Sequence, residues 1–535
     1  LKSFLLNYFL QVVLIINLLS CSKSNSNYDD SQVFRYNEHA NISSLDPAFA
    51  KDQRNIWACH QLYNTLVELD EELNIIPSLA NEWSINDDGL IYDFYLRKDV
   101  YFHKHPIFGK DSTRLLDAKD VFYSLNRLKD EQVASPGSWI VKNLDSIEVV
   151  DQFHIRFHLK KNFPPFLGIL SMKYASIVPI ETKTNNFSFR DQPIGTGPFY
   201  FKRWIENEKL VFRKNKLYWE KDTKGNQLPY LEAVAITFLP DKQSEFMQFM
   251  QGEIDFLGGL HPSYKDELLT LDGELRSTLK DQINLTKVPF LNTEYIGFYL
   301  PKERTALQNK NFRKAFHHGF DRTLMMKYLR NSIGNPATGG IIPKSMPGSL
   351  KENNVYYQPE KARAYLEKYK NETKDQNPSI RIATNSSYVD LIEFIQQELK
   401  KIGIHVKVDV MPASTLLQQR SSGQLEAFRG SWVADYPDAE NYLGLLFSGN
   451  FSPNGPNYTH FKNADFDDLF TEAYSKNNFK ERILYYQKMD SIVADELPVI
   501  PLFYDEIVRF TTKKVKELPV NSLNLLELRK LKKLK

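Results

Sequence analysis

Three charged residues late in the chain occupy positions where charge needs a reason. Arg429 falls within 428–433, an apolar run that reads as a buried strand. A guanidinium there needs an anionic partner or a route to solvent. Its fork of donors suits two-point capture of a carboxylate, and an ion pair internal to the fold would satisfy it equally. Arg420 lies upstream, in Gln419-Arg420-Ser421. Asp435 follows Trp432-Val433 and precedes Tyr436-Pro437, which puts it at the strand's exit. It is either a turn residue or a carboxylate left free to hold a cation, and Asp438 already supplies a cap for the segment 439–447. Trp432, Tyr436 and Trp139, the last in Ser135-Pro136-Gly137-Ser138-Trp139, can line a site by area and stacking or pack in a core.

Other constellations are weaker. His-Glu-x-x-His, a Walker loop, Gly-x-Ser-x-Gly and Cys-x-x-Cys are all missing from the sequence. Gly195-Thr196-Gly197 runs into Pro198 and a strand, whereas a dinucleotide loop opens a helix, so it reads as a turn. His103 and His105 share a face if they lie on a strand and could ligate a metal, but no third ligand is identifiable. His317 and His318 point two ways on a helix. Cys59 recurs with Ile56, Tyr63 and Leu66 at helical spacing and reads as a small buried hydrophobe. His60 beside it is poorly placed to activate it. No catalytic residue, metal site or cofactor is expected.

The elements that must position these residues alternate between strand-like and helix-like stretches. Strands are predicted at 32–36, 90–96, 234–239, 295–299, 428–433 and 499–504. Hairpins are predicted from 146–150 with 154–159 and from 199–204 with 209–212. Helices are predicted at 118–128 behind the cap Asp117, at 244–251 and at 311–320. The strand 379–384, helix 389–402 and strand 405–410 form a βαβ unit, with Gly403 at the helix's C-terminal end. The Lys- and Leu-rich tail has no readable assignment.

The chain of 535 residues is 42% hydrophobic and 25% charged, the composition of a globular protein with several domains. A net charge of +2 gives no basic field for nucleic acid. Residues 4–19 are mostly apolar behind Lys2 and run into Leu18-Leu19-Ser20-Cys21. That pattern resembles a bacterial lipoprotein signal, in which Cys21 carries the lipid. A transmembrane anchor is the alternative, but Asn7, Gln11 and Asn17 interrupt a run already short for a span. Residues 21–30 read as a polar tether.

Several stretches, in order, carry a resemblance. They are Ser44-Leu45-Asp46-Pro47, then Ile76-Pro77-Ser78-Leu79-Ala80 with Trp83, then Asp117-Ala118-Lys119-Asp120-Val121 with Ser124 and Arg127. Gly195-Thr196-Gly197-Pro198-Phe199, Tyr218-Trp219, Gly252-Glu253-Ile254-Asp255, Phe312-Arg313-Lys314-Ala315 and Trp432-Val433-Ala434-Asp435 follow. Together they resemble the family 5 extracellular solute-binding proteins of bacterial ABC importers, from about Ser44 to Tyr504, and most closely the oligopeptide-binding branch.

The resemblance implies an α/β, two-lobed, hinged type II binding-protein fold with an extra subdomain. Lobe I would comprise 31–62, 186–288 and 500–535, the subdomain 63–185, and lobe II 289–499. The crossings would fall near Val288-Pro289 and at 498–501. It implies a non-enzymatic receptor that closes on short peptides and delivers them to a membrane permease. A metal chelate, haem or oligosaccharide ligand, or a secreted peptidase, remains the alternative. It implies that Asp435 holds the peptide ammonium and that Arg429 and Arg420 serve carboxylates. Trp432, Val433, Tyr436 and Trp139 would contact the ligand. Lys51 and Gln53 depart from the branch, which carries an acidic and a β-branched residue there. A monomer is expected, lipid-anchored and facing the periplasm or cell exterior.

Overall fold

Phe34 and Tyr36 are fully buried, and Val33 and Asn37 nearly so. A strand covered on both faces belongs inside a parallel sheet. Val33–Asn37 accordingly pairs in parallel with Ala233–Thr237 and, through Tyr36, with Phe256–Gly258. The computed structural model describes residues 30–183, 187–301, 306–350, 356–516 and 518–534. The expected signal segment, Cys21 and most of the tether lie outside the described residues. Among the described residues no helix is long and apolar enough to cross a membrane.

One 11-stranded sheet runs through two lobes. The strands on the first-lobe side are Phe256–Gly258, Val33–Asn37, Ala233–Thr237, Lys209–Lys214 and Phe199–Ile205. On the second-lobe side lie Ala427–Val433, Ser379–Thr384 and His405–Val410. Two long antiparallel strands, Ile283–Phe298 and Val499–Thr512, join the sides. Residues 283–289 pair with 506–512, and 293–297 pair with 499–504. The ladder breaks between Pro289 and Thr293, where proline removes a donor and its ring enforces an irregularity. On the second strand the matching gap falls at Asp505, between the paired segments 499–504 and 506–512.

The predicted hairpins form as Leu144–Asp151 with His154–Leu159, and Phe199–Ile205 with Lys209–Lys214. The βαβ unit also forms, with Ser379–Thr384 parallel to His405–Val410 around the helix Val389–Lys400. Gly403 takes φ +93°, a left-handed step that ends the helical segment. Asp117 caps Ala118–Arg127 through a reciprocal box with Asp120.

A separate four-stranded sheet, built on Ala80–Ile85, Ile91–Leu96, His154–Leu159 and Leu144–Asp151, belongs to an inserted unit with its own core. The tail is not loose. Leu526, Leu528 and Leu531 are fully buried against Phe34, Tyr36 and Leu62 in the first-lobe core. Lys533 pairs with buried Asp255 at 2.8 Å.

Candidate functional site

The strand Ala427–Val433 lies antiparallel to Ile283–Phe298, and the last register pair is Val433 with Asn292. Its end is fixed by four hydrogen bonds. The Ala434 N–H donates to Leu291 O at 2.8 Å, and the Tyr442 hydroxyl donates to the same carbonyl at 2.6 Å. The Asp435 N–H donates to Asn441 Oδ1 at 3.3 Å. The same oxygen accepts the Trp432 indole N–H at 2.7 Å. Asp438 accepts from the Glu440 N–H and pairs with Arg482 at 3.2 Å, so it is the cap and ion-pair carboxylate of this turn. Asp435 is left without a cationic partner among the described residues.

Val433, Ala434 and Asp435 form one wall of a cavity of about 330 Å³ between the lobes. The opposite wall comes from Lys51, Asp52, Gln53 and Trp57 of the first lobe and from residues 171–174 of the insert. Phe290, inside the break of the long ladder, also lines it. Water reaches the Asp435 carboxylate inside the cavity, yet protein surrounds it, and this loss of solvation lifts its pKa to about 6. Burial, aided by the Asp435 and Asp52 charges, pushes the Tyr174 phenol up to about 12.

The other predicted site residues are dispersed. Arg429 is 7% exposed, ion-paired to buried Glu294 and stacked over Tyr388 at 3.4 Å. Arg420 lies over the Tyr458 ring at 4.1 Å and over Phe428 at 5.7 Å. Neither lines the Asp435 cavity. Trp432 packs on the second-lobe core, and Trp139 is 40% exposed on a short turn. Tyr436 is buried in the core of the insert, its hydroxyl donating to Glu440.

Lys51 and Gln53, the two departures from the branch, both line the cavity. Sequence reasoning missed Lys173, Tyr174 and Trp57. Only Trp57 left a signal, as an indole on the buried face of the helix Gln53–Leu62.

The histidines have structural work. His103 accepts the Gly195 N–H at Nδ1 (3.2 Å) and donates from Nε2 to Gly197 O (3.0 Å). Burial lowers its pKa to about 4, so the ring is neutral. The two glycines allow a close approach, because a Cβ on Gly195 would lie 2.1 Å from Leu62 O. His105 caps the next turn through Ile107 N–H. Burial pushes the Cys59 thiol far up, which makes it inert. No cluster of three or more His, Cys, Asp or Glu suited to a metal ion occurs among the described residues.

The model of the bacterial extracellular solute-binding proteins, family 5 Middle, matches residues 74–454. The dipeptide-binding protein of Escherichia coli K12 is 26% identical over 494 residues, spanning 86% of this chain and 87% of that protein. Heme-binding protein A of Haemophilus influenzae is 28% identical over 465 residues, spanning 83% and 81%. The structure of the ABC transporter-associated periplasmic binding protein DppA from Helicobacter pylori, in complex with peptide STSA, superposes with a TM-score of 0.76. It is 27% identical, covering 94% of this chain and 98% of that one. Two lobes on a shared sheet, an insert on the first lobe and a family match across most of the length agree: the chain belongs to the bacterial extracellular solute-binding proteins, family 5.

Proposed function

We propose that this protein is the substrate-capturing receptor of an ABC importer, taking short peptides into the interlobe cavity and handing them to a membrane permease. The observation that carries the reading is Asp435, a carboxylate with no cationic partner among the described residues, facing a protein-walled cavity between lobes. A peptide ammonium is the cation such a group awaits, and lobe closure strengthens the pair by excluding water. The dipeptide-binding and peptide-complexed relatives support this ligand class.

Capture is closure about the ladder break at 290–292 and about Asp505, with open and closed populations set by differential ligand affinity. The receptor performs no bond chemistry, so incubated peptides return intact by mass spectrometry. It acts as a monomer, tethered outside the cytoplasm through lipid on Cys21. Cys21→Ser releases it from the membrane fraction; retention of the variant together with residues 1–20 would establish a transmembrane anchor instead.

The deciding experiment is calorimetric titration of a free di- and tripeptide library with N-acetylated counterparts, and haem alongside. Free peptides should bind, and acetylation should weaken binding about 30-fold or more. Equal affinity of free and acetylated peptides, or binding of haem alone, rejects the reading.

A further inference from the structure

Lys173 sits at the start of the short turn Lys173–Ala175 in the insert and is only 6% exposed. A lysine so buried is ordinarily paired. Its ammonium makes no hydrogen bond or ion pair among the described residues, although it offers three donors. The nearby carboxylates are committed elsewhere. Glu68 holds Arg529 at 2.7 Å, and Glu527 holds Arg529 and His60, each at 3.3 Å. Loss of solvation, with the Arg529 charge nearby, lowers the Lys173 pKa, and Glu68 opposes this from beyond contact distance.

Lys173 lines the same cavity as Asp435. The two come from different lobes, one from the insert and one from the second-lobe strand exit. Lys173 also lines a second chamber, of about 270 Å³, that meets the first at Leu69, Ser171 and Leu525. The other expected cations are spent or absent here. Arg429 is neutralised by Glu294, and Arg420 lies outside the cavity wall. Lys51 lines the cavity but is exposed, so water already serves its charge.

We propose that Lys173 is the carboxylate-binding residue of the ligand cavity, so that the ligand is a short zwitterion held with its ammonium at Asp435 and its carboxylate at Lys173. The inference rests on the peptide reading above and sharpens it. A cavity near the lower end of the usual ligand range (about 300–1,000 Å³) suits two or three residues rather than a long chain. Poles on opposite lobes also explain how one small ligand draws both lobes together, since neither pole is satisfied until the cleft shuts.

The test uses the tightest binder from a library of free di- and tripeptides, its C-terminal amide and its N-acetyl form. Each is titrated into wild type, Lys173→Met, Lys173→Gln, Lys173→Arg and Lys51→Met. Amidation should cost wild type about 30-fold or more and the two neutral Lys173 variants no more than about threefold, because peptide and protein changes then remove one interaction. Lys173→Arg should retain most of the amide penalty, and Lys51→Met all of it.

An undiminished amide penalty in Lys173→Met and Lys173→Gln overturns the assignment. If acetylation still weakens binding in that case, the peptide reading stands and only Lys173 falls. If no free peptide binds, both fall. Should the variants fail to fold, nitrogen-15 lysine spectra of the wild type decide. The Lys173 Nζ resonance should shift to higher pKa with the free peptide and stay unmoved with the amide; equal responses overturn the proposal.

Discussion

Arg429 and Glu294 neutralise one another inside the second lobe, on adjacent strands whose register sets Arg429 opposite Ile296. Burial raises the Glu294 pKa, and Arg429 is the largest influence opposing that rise. Removing one member of a buried pair strands the other and costs about 3–5 kcal/mol. Arg429→Met should therefore destabilise the protein by that amount in urea unfolding, and adding Glu294→Gln should recover most of the loss. The double variant should bind free peptide within about threefold of wild type. A double variant that refolds fully but binds about 30-fold more weakly would assign Arg429 to the ligand.

Asp435 sets a pH dependence in both binding and stability. Its pKa rises from the ordinary 3.8 to about 6 in the folded, ligand-free protein. Only the ionised form attracts an ammonium, so peptide affinity should fall as pH drops through about 6 and level off above it. Stability runs the other way. Between about 4 and 6 the folded protein binds more protons than the unfolded chain, so this group makes stability decline as pH rises across that window. Asp435→Asn should then raise the ligand-free melting temperature at pH 8 and leave it unchanged at pH 4. A variant equally shifted at both pH values would place the effect elsewhere.

Contacts between the insert and the second lobe should bias closure. Phe163 stacks on Tyr474 with ring centroids 5.6 Å apart. The Asn162 amide donates to Asn477 Oδ1 at 2.5 Å, and the Asn477 amide donates to Asp87 O at 2.9 Å. Tyr436 enters the insert's core beside Gly168, where an added Cβ would lie 3.3 Å from the tyrosine's own. Replacing Phe163 and Tyr474 together by alanine should enlarge the ligand-free radius of gyration in X-ray scattering, and saturating peptide should restore it. Affinity should fall about tenfold for each ~1.4 kcal/mol taken from the closed state. An unchanged radius in the ligand-free variant would show that these contacts do not set the balance.

The turn around Asp435 was legible because its determinants are local: an apolar strand, an exit, and a separate cap at Asp438 six residues from the strand's Trp432. The hairpins and the βαβ unit were legible for the same reason. Arg429 could be seen to need an anion, but Glu294 lies 135 residues earlier and only sheet register unites them. Lys173 gave no signal, since the lack of a partner is a property of the folded surroundings and not of Ser171-Met172-Lys173-Tyr174. The tail defeated periodicity because Leu526, Leu528 and Leu531 are buried in an irregular segment spaced by two and then three residues.

That tail orders events during synthesis. The Gln32 amide donates to Lys533 O at 3.1 Å, and the Lys533 ammonium reaches Val33 O at 2.7 Å. The first strand among the described residues, Val33–Asn37, thus meets residues made some five hundred positions later. The buried residues of the second-lobe core run from Leu291 to Phe503 in one uninterrupted stretch, so that core can assemble as soon as it is made. First-lobe strands can pair once residues 199–237 are made, but their core is complete only with Leu526, Leu528 and Leu531. Until then the apolar cover over Phe34 and Tyr36 is incomplete, so a chaperone that shields residues 33–36 early in translation would act on the segment that waits longest.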